Sequence, residues 1–352
     1  MVQDVRDTAS ARDLARKVEC LSDPACYQDG PFEVEVVETH MSWVFLAGSL
    51  VYKLKKPVVV PPYLDFRTLE ARRRNCLEEV RLNRRLAPWV YLGVTPLART
   101  GAGGLELDGA GAPVEWLVKM HRLPRAAMLD QAAANGRARV ADIRGVAGVL
   151  TDFYLRAEPA LRDAHAYLER MRTALDADVA ALSHPQYRIG RPLLEWLRSV
   201  LAGFIERSAD CFMRRVEEGR ILEGHGDLRP EHVCLLPRPV IIDCLEFDRE
   251  LRILDVADEM AFLALECDRL DAPFIGRTLF HEYGSRTGDH PPDQLIAFYQ
   301  CRRAMRRAQQ CLSHLLDGPT SLDIEQKWRQ RAGSYLDWAR IRAESCNQGA
   351  VS

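Results

Sequence analysis

Lysine is scarce in this sequence, with six residues among the 48 lysines and arginines. Three of the six, Lys53, Lys55 and Lys56, lie in one short segment. A lysine ammonium is a compact point charge, whereas the arginine guanidinium is a planar fork of donors. The segment is therefore a candidate site for a point charge, although a solvated edge strand protected by lysines would produce the same cluster.

The sequence also lacks the features of several protein classes. No apolar run approaches the roughly 20 residues that a membrane-spanning helix needs, and no positive segment followed by an apolar one begins the chain. The ten cysteines form no CxxC pair, so we expect free thiols without redox chemistry. The formal net charge of -2 gives no overall attraction for nucleic acids or anionic membranes. We therefore expect a reduced, cytoplasmic protein that binds neither.

Residues 1–120 have the pattern of a small antiparallel sheet. Five segments rich in valine and aromatic residues alternate apolar with polar positions between short turns. They read FEVEVVETH, SWVFLAG, LVYKLKK, LGVTPLART and PVEWLVKMHRL, and a hairpin at Gly48-Ser49 joins the second to the third. Helical spacing precedes the sheet at residues 11–19, and Thr68 is placed to cap a charged helix that interrupts it. We expect an N-terminal lobe of one terminal helix, five strands and one further helix.

Residues 121–352 are mostly helical in pattern. Their long amphipathic segments are interrupted by one strand-like stretch, PVIID, which follows a polar loop. A sheet-rich lobe followed by a larger helical lobe is an α+β bilobal plan. We expect the hinge between the lobes near Lys119 to Pro124.

The polar loop has the composition of a catalytic site. In HGDLRPEHV, Asp227 and His232 are five residues apart, and Asp243 follows the next apolar strand. An acid, a polar metal-ligand candidate, a strand and a second acid occur in this order in the catalytic loop of kinases and the metal-binding aspartate that follows it.

These motifs resemble those of the aminoglycoside phosphotransferase family, which has a bilobal protein-kinase-like fold and carries HGDL at this position. The resemblance makes Lys53 in LVYK the lysine that grips the nucleotide phosphates, with Lys55 as the alternative. It makes Glu79 the helix glutamate that pairs with this lysine. It also places Met120, in LVKMHRLP, at a hinge that binds adenine, and makes Asp255, in LDVADEMAFL, an anchor of the catalytic loop.

The resemblance implies an ATP-dependent phosphotransferase that acts on a hydroxyl of a small molecule. Asp243 would hold Mg²⁺ or Mn²⁺ against the phosphates, because a hard cation prefers carboxylate oxygen. Asp227 would accept or orient the proton of the attacking hydroxyl. Arg229 would either contact phosphate or brace the loop.

Two positions depart from the family pattern. His232 stands where the family has asparagine, and imidazole suits Mn²⁺ or Zn²⁺ better than Mg²⁺. The loop ETHMS has no glycine, so backbone N–H groups approach phosphate less freely, and the hydroxyls of Thr39 and Ser42 would replace them. Both departures support an alternative, a nucleotide-binding pseudokinase that acts as a sensor or partner module.

Simpler interpretations of the polar residues stay open at this point. His225 alone is more typical of a histidine that braces a loop, but with Asp227 and His232 it could form the zinc site of a hydrolase. Glu246 and Asp248 are either a further metal contact or part of a solvated turn. A group of four arginines on one predicted helix either binds an anionic ligand or is balanced by neighbouring acids. They are Arg302, Arg303, Arg306 and Arg307.

Overall fold

The computed structural model describes residues 2–28, 30, 32–60, 64–316 and 321–347, with the backbone alone for residues 2–10 and 60. The strands are β1 (Val34–Glu38), β2 (Ser42–Ala47), β3 (Leu50–Lys55), β4 (Val59–Val60), β5 (Leu64–Asp65), β6 (Tyr91–Arg99), β7 (Leu105–Leu107), β8 (Pro113–His121), β9 (Ile221–Glu223), β10 (Val233–Cys234), β11 (Val240–Ile241) and β12 (Ile253–Asp255). The helices are α1 (Val2–Ser22), α2 (Leu69–Asn83), α3 (Leu129–Ala134), α4 (Val140–Arg156), α5 (Ala164–Leu182), α6 (Arg191–Arg207), α7 (Ala209–Glu217), α8 (Val256–Asp268), α9 (Phe274–Thr287), α10 (Asp293–Ser313) and α11 (Leu322–Asn347).

The contacts divide the chain into two units. The first contains Met1–Met128 and Cys234–Glu250, and the second contains Leu129–Val233 and Leu251–Ser352. Leu235 donates a backbone hydrogen bond to the carbonyl of Ala127 at 2.7 Å, so the segment after the catalytic-loop motif packs within the first unit.

The first unit contains an antiparallel sheet in the order β1-β2-β3-β8-β6-β7. All five predicted strands are present, but the sheet has six strands, because Leu105–Leu107 in the glycine-rich connection pairs with the end of β6. The predicted turn joins β2 to β3, where Ala47 pairs with Leu50. Gly48 has a φ of 61°, which glycine adopts at low cost in a two-residue hairpin.

The two faces of this sheet carry different helices. Tyr52, Leu54 and Leu117 form an apolar cluster with Leu21 of α1. Val118 clusters instead with residues of α2, which Thr68 caps by accepting a hydrogen bond from the backbone of the first turn. Because side chains alternate along a strand, neighbouring positions of β3 and β8 face different helices.

The second unit is helical around its own core. Its buried apolar residues come mainly from α5, α6, α7, α8, α10 and α11, and α8 is buried along almost its whole length. The short strands β9 and β12 pair antiparallel. β9 leads into residues 225–232, which we call the HGD loop, and β12 leads into α8. Together with the sheet of the first unit, this helical unit confirms the predicted α+β class.

In the part of the chain that the structure describes, no helix combines the length and the apolar character that crossing a membrane requires.

Candidate functional site

Lys53 is held between two carboxylates in the first unit. Its Nζ donates to Glu79 Oε1 at 2.9 Å and to Asp243 Oδ1 at 2.7 Å. Glu79 comes from α2 and is fully buried, whereas the Asp243 side chain is 44% exposed. The structure thus brings together three residues that the motifs placed in one site.

Lys55 extends this arrangement. It lies two positions after Lys53 on the same face of β3, and its ammonium contacts both Glu79 and Glu246. Glu246 is 12% exposed, so it is part of a buried ion pair and not of a solvated turn. We call Asp243, Lys53, Glu79, Lys55 and Glu246 the carboxylate–lysine chain. Glu79 is therefore shared by both candidate lysines, which the motifs treated as alternatives.

The charges in the carboxylate–lysine chain stabilise one another. Burial alone would raise the pKa of Glu79, but the two ammonium groups hold that pKa below its ordinary value. Burial likewise opposes the charge on Lys53, yet Asp243 and Glu79 raise the pKa of Lys53 well above its usual range. Glu79 and Lys53 are thus both ionised at neutral pH.

Replacing Glu79 with glutamine is expected to lower the free energy of unfolding at pH 7 by about 2 kcal/mol, because a charged acceptor is lost while each lysine keeps another acid. A carboxylate whose folded pKa is depressed stabilises above its ordinary pKa and loses that contribution as pH falls through the folded pKa. The difference between Glu79→Gln and wild type should therefore shrink below pH 4.5, the ordinary value. Urea unfolding of both proteins at several pH values measures this difference in the free energy of unfolding.

The adjacent Glu78 supplies a matched control. Its side chain pairs with Arg81 at the surface of the same helix. Exposed pairs contribute about 0–1 kcal/mol, so Glu78→Gln is expected to have a small effect. Equal losses from both substitutions would contradict the assignment of Glu79 as the shared buried counter-ion.

Asp243 adopts a backbone conformation that is uncommon for a residue with a side chain. Its φ is 60°, in the left-handed region. Two groups hold the backbone there: the Asp243 N–H donates to the Tyr91 hydroxyl at 3.1 Å, and the Cys244 N–H donates to Asn83 Oδ1 at 2.8 Å. The end of α2 and the start of β6 therefore fix the direction of the Asp243 carboxylate. Nothing in the motifs indicated these two supporting residues.

Asp227, in the HGD loop of the second unit, is one-third exposed (32%). Its Oδ2 accepts from Arg229 Nε at 3.0 Å. Within the described residues, no donor contacts its other carboxylate oxygen. Burial alone would raise the pKa of Asp227, but the positive charge of Arg229 brings that pKa below the ordinary value. The carboxylate is thus ionised at neutral pH and keeps an oxygen available for a further donor.

His232 braces the loop through both of its ring nitrogens. Arg229 Nη2 lies 3.2 Å from Nε2, and the Asp227 carbonyl oxygen lies 2.8 Å from Nδ1. Because arginine can only donate, Nε2 is the acceptor in this contact and Nδ1 is the donor to the Asp227 carbonyl. The lone pair that a metal would use already accepts from Arg229. His232 is therefore not placed to act as the predicted metal ligand. Arg229 serves as a brace between Asp227 and His232.

Glu259 of α8 holds the loop backbone. Its Oε1 accepts from the N–H groups of His225 and Gly226, both at 2.7 Å, and Tyr154 donates its hydroxyl to Oε2 at 2.8 Å. Burial raises the pKa of Glu259, although these hydrogen bonds oppose that effect. A Cβ on Gly224 would lie 2.7 Å from Oε1, so any other residue there would displace this carboxylate. His225 is buried and its Nδ1 accepts from Asp227 N–H, in keeping with the loop-bracing role.

Asp255 does not anchor the loop as the resemblance implied. It caps α8 and forms a bidentate ion pair with Arg215 of α7, with N···O distances of 2.8 and 2.6 Å. Tyr299 of α10 donates a further hydrogen bond to Asp255. The anchor is Glu259, one turn later on the same helix. Its signal in the sequence is an acid inside an otherwise apolar helix segment.

The four arginines of α10 are balanced by acids, which confirms the simpler interpretation. Arg302 and Arg306 share Asp178, and Arg303 pairs with Asp258. Arg307 lies 3.3 Å from Glu266. Arg303 also donates to the carbonyl of Gly226 at 3.3 Å, so α10 supports the HGD loop.

The remaining predicted residues lie in the sheet of the first unit or in the turn before β2. Thr39 closes the turn before β2, because its hydroxyl accepts from the Ser42 N–H and donates to the Ser42 carbonyl, both at 2.9 Å. The Ser42 side chain is enclosed in the unit, with the residue 1% exposed, so it is not placed to bind phosphate as predicted. Met120 lies near the end of β8, paired with Val51 on one side and Tyr91 on the other.

The comparisons with known proteins begin with the sequence. No family model matches the chain. An uncharacterized protein from Mycobacterium tuberculosis H37Rv is 33% identical over 318 residues, which cover 89% of this chain and 62% of the relative. An uncharacterized protein from Mycobacterium bovis gives the same values. The chain thus spans less than two thirds of the length of these curated relatives.

A solved structure decides the fold. The crystal structure of a choline/ethanolamine kinase family protein from Mesorhizobium loti matches with a TM-score of 0.51 and 12% identity, covering 94% of this chain and 99% of that one. The chain has the protein-kinase-like fold. At this identity, the likeness shows the kinase-like fold alone, and at that level it confirms the resemblance to the aminoglycoside phosphotransferase family that the motifs indicate.

Proposed function

We propose that the protein is an ATP-dependent phosphotransferase that transfers a phosphoryl group to a hydroxyl of a small molecule. The observation that carries the proposal is the position of Lys53 between the buried Glu79 and the exposed Asp243, in a kinase-like fold. Phosphoryl transfer needs little covalent work from the protein. It needs fixed cations and alignment of the reacting groups.

Lys53 has the properties that phosphate binding requires. Its elevated pKa keeps the ammonium charged, and the buried Glu79 limits where that ammonium can go. A fixed cation stabilises phosphate charge without reorganising during the reaction. Lys55 holds Glu79 from the other side, so it supports the position of Lys53 without contacting nucleotide itself.

Asp243 fits a magnesium ion that is shared with nucleotide. The residue supplies hard carboxylate oxygen, and the carboxylate–lysine chain has three acids for two lysines, which leaves one negative charge. The described residues contain no group of three metal-ligating side chains, but Mg²⁺ with nucleotide usually takes only one or two carboxylates. Bound there, the ion would neutralise phosphate charge. Since the His232 lone pair is occupied, we assign the metal to Asp243 alone.

Asp227 is the proposed general base. Its depressed pKa keeps the carboxylate ionised, and the oxygen that Arg229 does not contact can accept the proton of an attacking hydroxyl. Arg229 keeps this carboxylate oriented. Glu259 and Arg303 hold the loop backbone at His225 and Gly226.

A specific observation also favours a second candidate, a nucleotide-binding module with little or no turnover. His232 takes the place of the family's asparagine and is engaged by Arg229 and by the Asp227 backbone. A second metal would then have no side-chain ligand at this position. In this alternative, nucleotide binding persists and turnover does not.

Nucleotide binding is tested by thermal unfolding with ATP, in separate titrations with Mg²⁺ and Mn²⁺. We expect a metal-dependent stabilisation of about 2.7 kcal/mol at an ATP concentration of 100 times the Kd, by binding linkage. Lys53→Ala and Asp243→Ala should each abolish it. Lys56→Ala is the control, because Lys56 pairs with Glu38 at the surface and lies outside the carboxylate–lysine chain.

The outcomes separate the two candidates. Stabilisation by ATP together with ADP release in the presence of a hydroxylated acceptor supports the phosphotransferase. Stabilisation without ADP release over a broad acceptor panel supports the nucleotide-binding module. Absence of stabilisation with either metal would overturn both.

A further inference from the structure

Two cysteines lie in contact on the first unit, outside the candidate site. Cys20 is in the last turn of α1, and Cys26 ends the short 3-10 turn Pro24–Cys26. Their Sγ atoms are 3.3 Å apart. Both residues are partly exposed, whereas seven of the ten cysteines are buried. The pair therefore combines proximity with access to solutes.

The segments that carry the two thiols are held in place. Asp23 caps the 3-10 turn by accepting from Ala25 N–H at 2.9 Å, and Tyr27 donates its hydroxyl to the Leu21 carbonyl at 2.5 Å. A disulfide has an S–S length of about 2.05 Å. Little movement separates the two sulfur atoms from bonding distance.

The thiols also differ in acidity. The hydrogen bond with Cys26 lowers the pKa of Cys20 to about 7, although burial opposes this shift. The same hydrogen bond raises the pKa of Cys26. A substantial fraction of Cys20 is therefore thiolate at neutral pH, and the thiolate is the reactive form. Cys26 keeps its proton and is placed to resolve an oxidised Cys20.

A cavity lies beside Cys26, the second thiol of this pair. It has a volume of about 280 Å³, and its walls include Cys26, Tyr52 and Lys119. Tyr52 and Lys119 are paired across β3 and β8, while Lys53 pairs with Val118 on the other face of the sheet. The cavity and the thiol pair thus lie on the α1 face, away from the carboxylate–lysine chain.

We propose that Cys20 and Cys26 form a reversible disulfide when the protein meets a hydroperoxide. The Cys20 thiolate attacks a peroxide oxygen, the O–O bond breaks, and the departing alkoxide or hydroxide takes up a proton. The Cys26 sulfur then attacks the Cys20 sulfenic acid, the S–O bond breaks, and the Cys26 proton leaves with the hydroxide as water. Two thiols and one hydroperoxide give one disulfide, one water and one alcohol, or a second water from hydrogen peroxide.

The disulfide would connect the end of α1 to the turn that follows it. α1 covers one face of the sheet through residues such as Leu21, so the bond would fasten this cover at its C-terminal end. Reduction by a dithiol would restore both thiols by thiol–disulfide exchange. The proposal is independent of the phosphotransferase function, because its residues belong to the opposite face of the sheet.

The test uses the whole chain of 352 residues, which is reduced, freed of reductant and exposed to increasing hydrogen peroxide. Free thiols are then alkylated, and the denatured chain is cleaved before Asp23, which separates Cys20 from Cys26. At the lowest dose that oxidises any cysteine, we expect these two peptides to be cross-linked, with the protein lighter by two hydrogen atoms. Dithiothreitol should reverse the change. The rate should rise with pH up to about 7, the pKa of Cys20, and then level off.

Variants distinguish this site from general thiol oxidation. Cys20→Ser and Cys26→Ser should each abolish the cross-link, whereas Cys211→Ser, which removes another partly exposed cysteine, should leave it unchanged. The wild-type peptide map does not depend on how the variants fold. First oxidation at a different cysteine, or accumulation of sulfinic acid at Cys20 without the cross-link, would overturn the proposal.

Discussion

Replacing Asp227 with asparagine is expected to lower turnover by about 10²–10⁴-fold, the usual contribution of a positioned general base. Asparagine keeps the size of the side chain and still accepts from Arg229, but its amide cannot take the proton of an attacking hydroxyl. ATP-dependent thermal stabilisation should persist, because the proposed nucleotide contacts come from Lys53 and Asp243. The rate is measured as ADP release with the best acceptor from a screen, or with water.

Glu231→Gln provides the comparison for this experiment. Glu231 also pairs with Arg229, at 2.6 Å, and lies in the same loop. The Glu231→Gln variant tests whether loss of any carboxylate beside Arg229 slows the reaction. We expect a reduction of about tenfold or less, in line with the loss of a partly exposed ion pair. If Asp227→Asn lowered turnover no more than Glu231→Gln does, Asp227 would not be the general base.

Arg215→Met is expected to lower the free energy of unfolding by about 3–5 kcal/mol, the cost of breaking a buried ion pair by removing one partner. Arg215 is the cation shared by two buried acids, Asp255 and Asp289. Asp255 begins α8, the helix whose Glu259 holds the HGD loop. Chemical denaturation followed by circular dichroism measures the loss.

The adjacent Arg214 separates this effect from the general removal of an arginine. It lies on the same helix, α7, with an exposed side chain. Arg214→Met should change the free energy of unfolding by about 0.5 kcal/mol or less, as is usual for surface substitutions. Similar losses for both variants would show that the buried acids do not depend on Arg215.

Much of the fold could be predicted because the sequence patterns are local. Alternation of apolar and polar residues located the five strands, and Thr68 marked the start of α2. The strand Leu105–Leu107 was missed because glycines surround it and it is too short to show an alternating pattern. The packing of Cys234–Glu250 with the sheet also has no local signal, since it depends on contacts with residues far away in the chain.

The candidate site could be predicted only in part, for a related reason. Motif order located Lys53, Glu79 and Asp243, whose contacts the structure shows. It could not show that Lys55 shares Glu79, because both lysines fit the strand pattern equally well. The tautomer of His232 likewise depends on which donor faces each ring nitrogen, and a sequence does not contain that information.

The position of Lys53 and Lys55 on one face of β3 makes the length of the preceding turn a functional constraint. One extra residue at Gly48-Ser49, absorbed by a one-residue shift in the register of β3 with the two-residue turn kept, would reverse the face on which every later side chain of the strand lies. Both ammonium groups would then enter the apolar cluster beneath α1, and Tyr52 would replace them beside Glu79. A single insertion could therefore abolish the ion pairs without changing any charged residue.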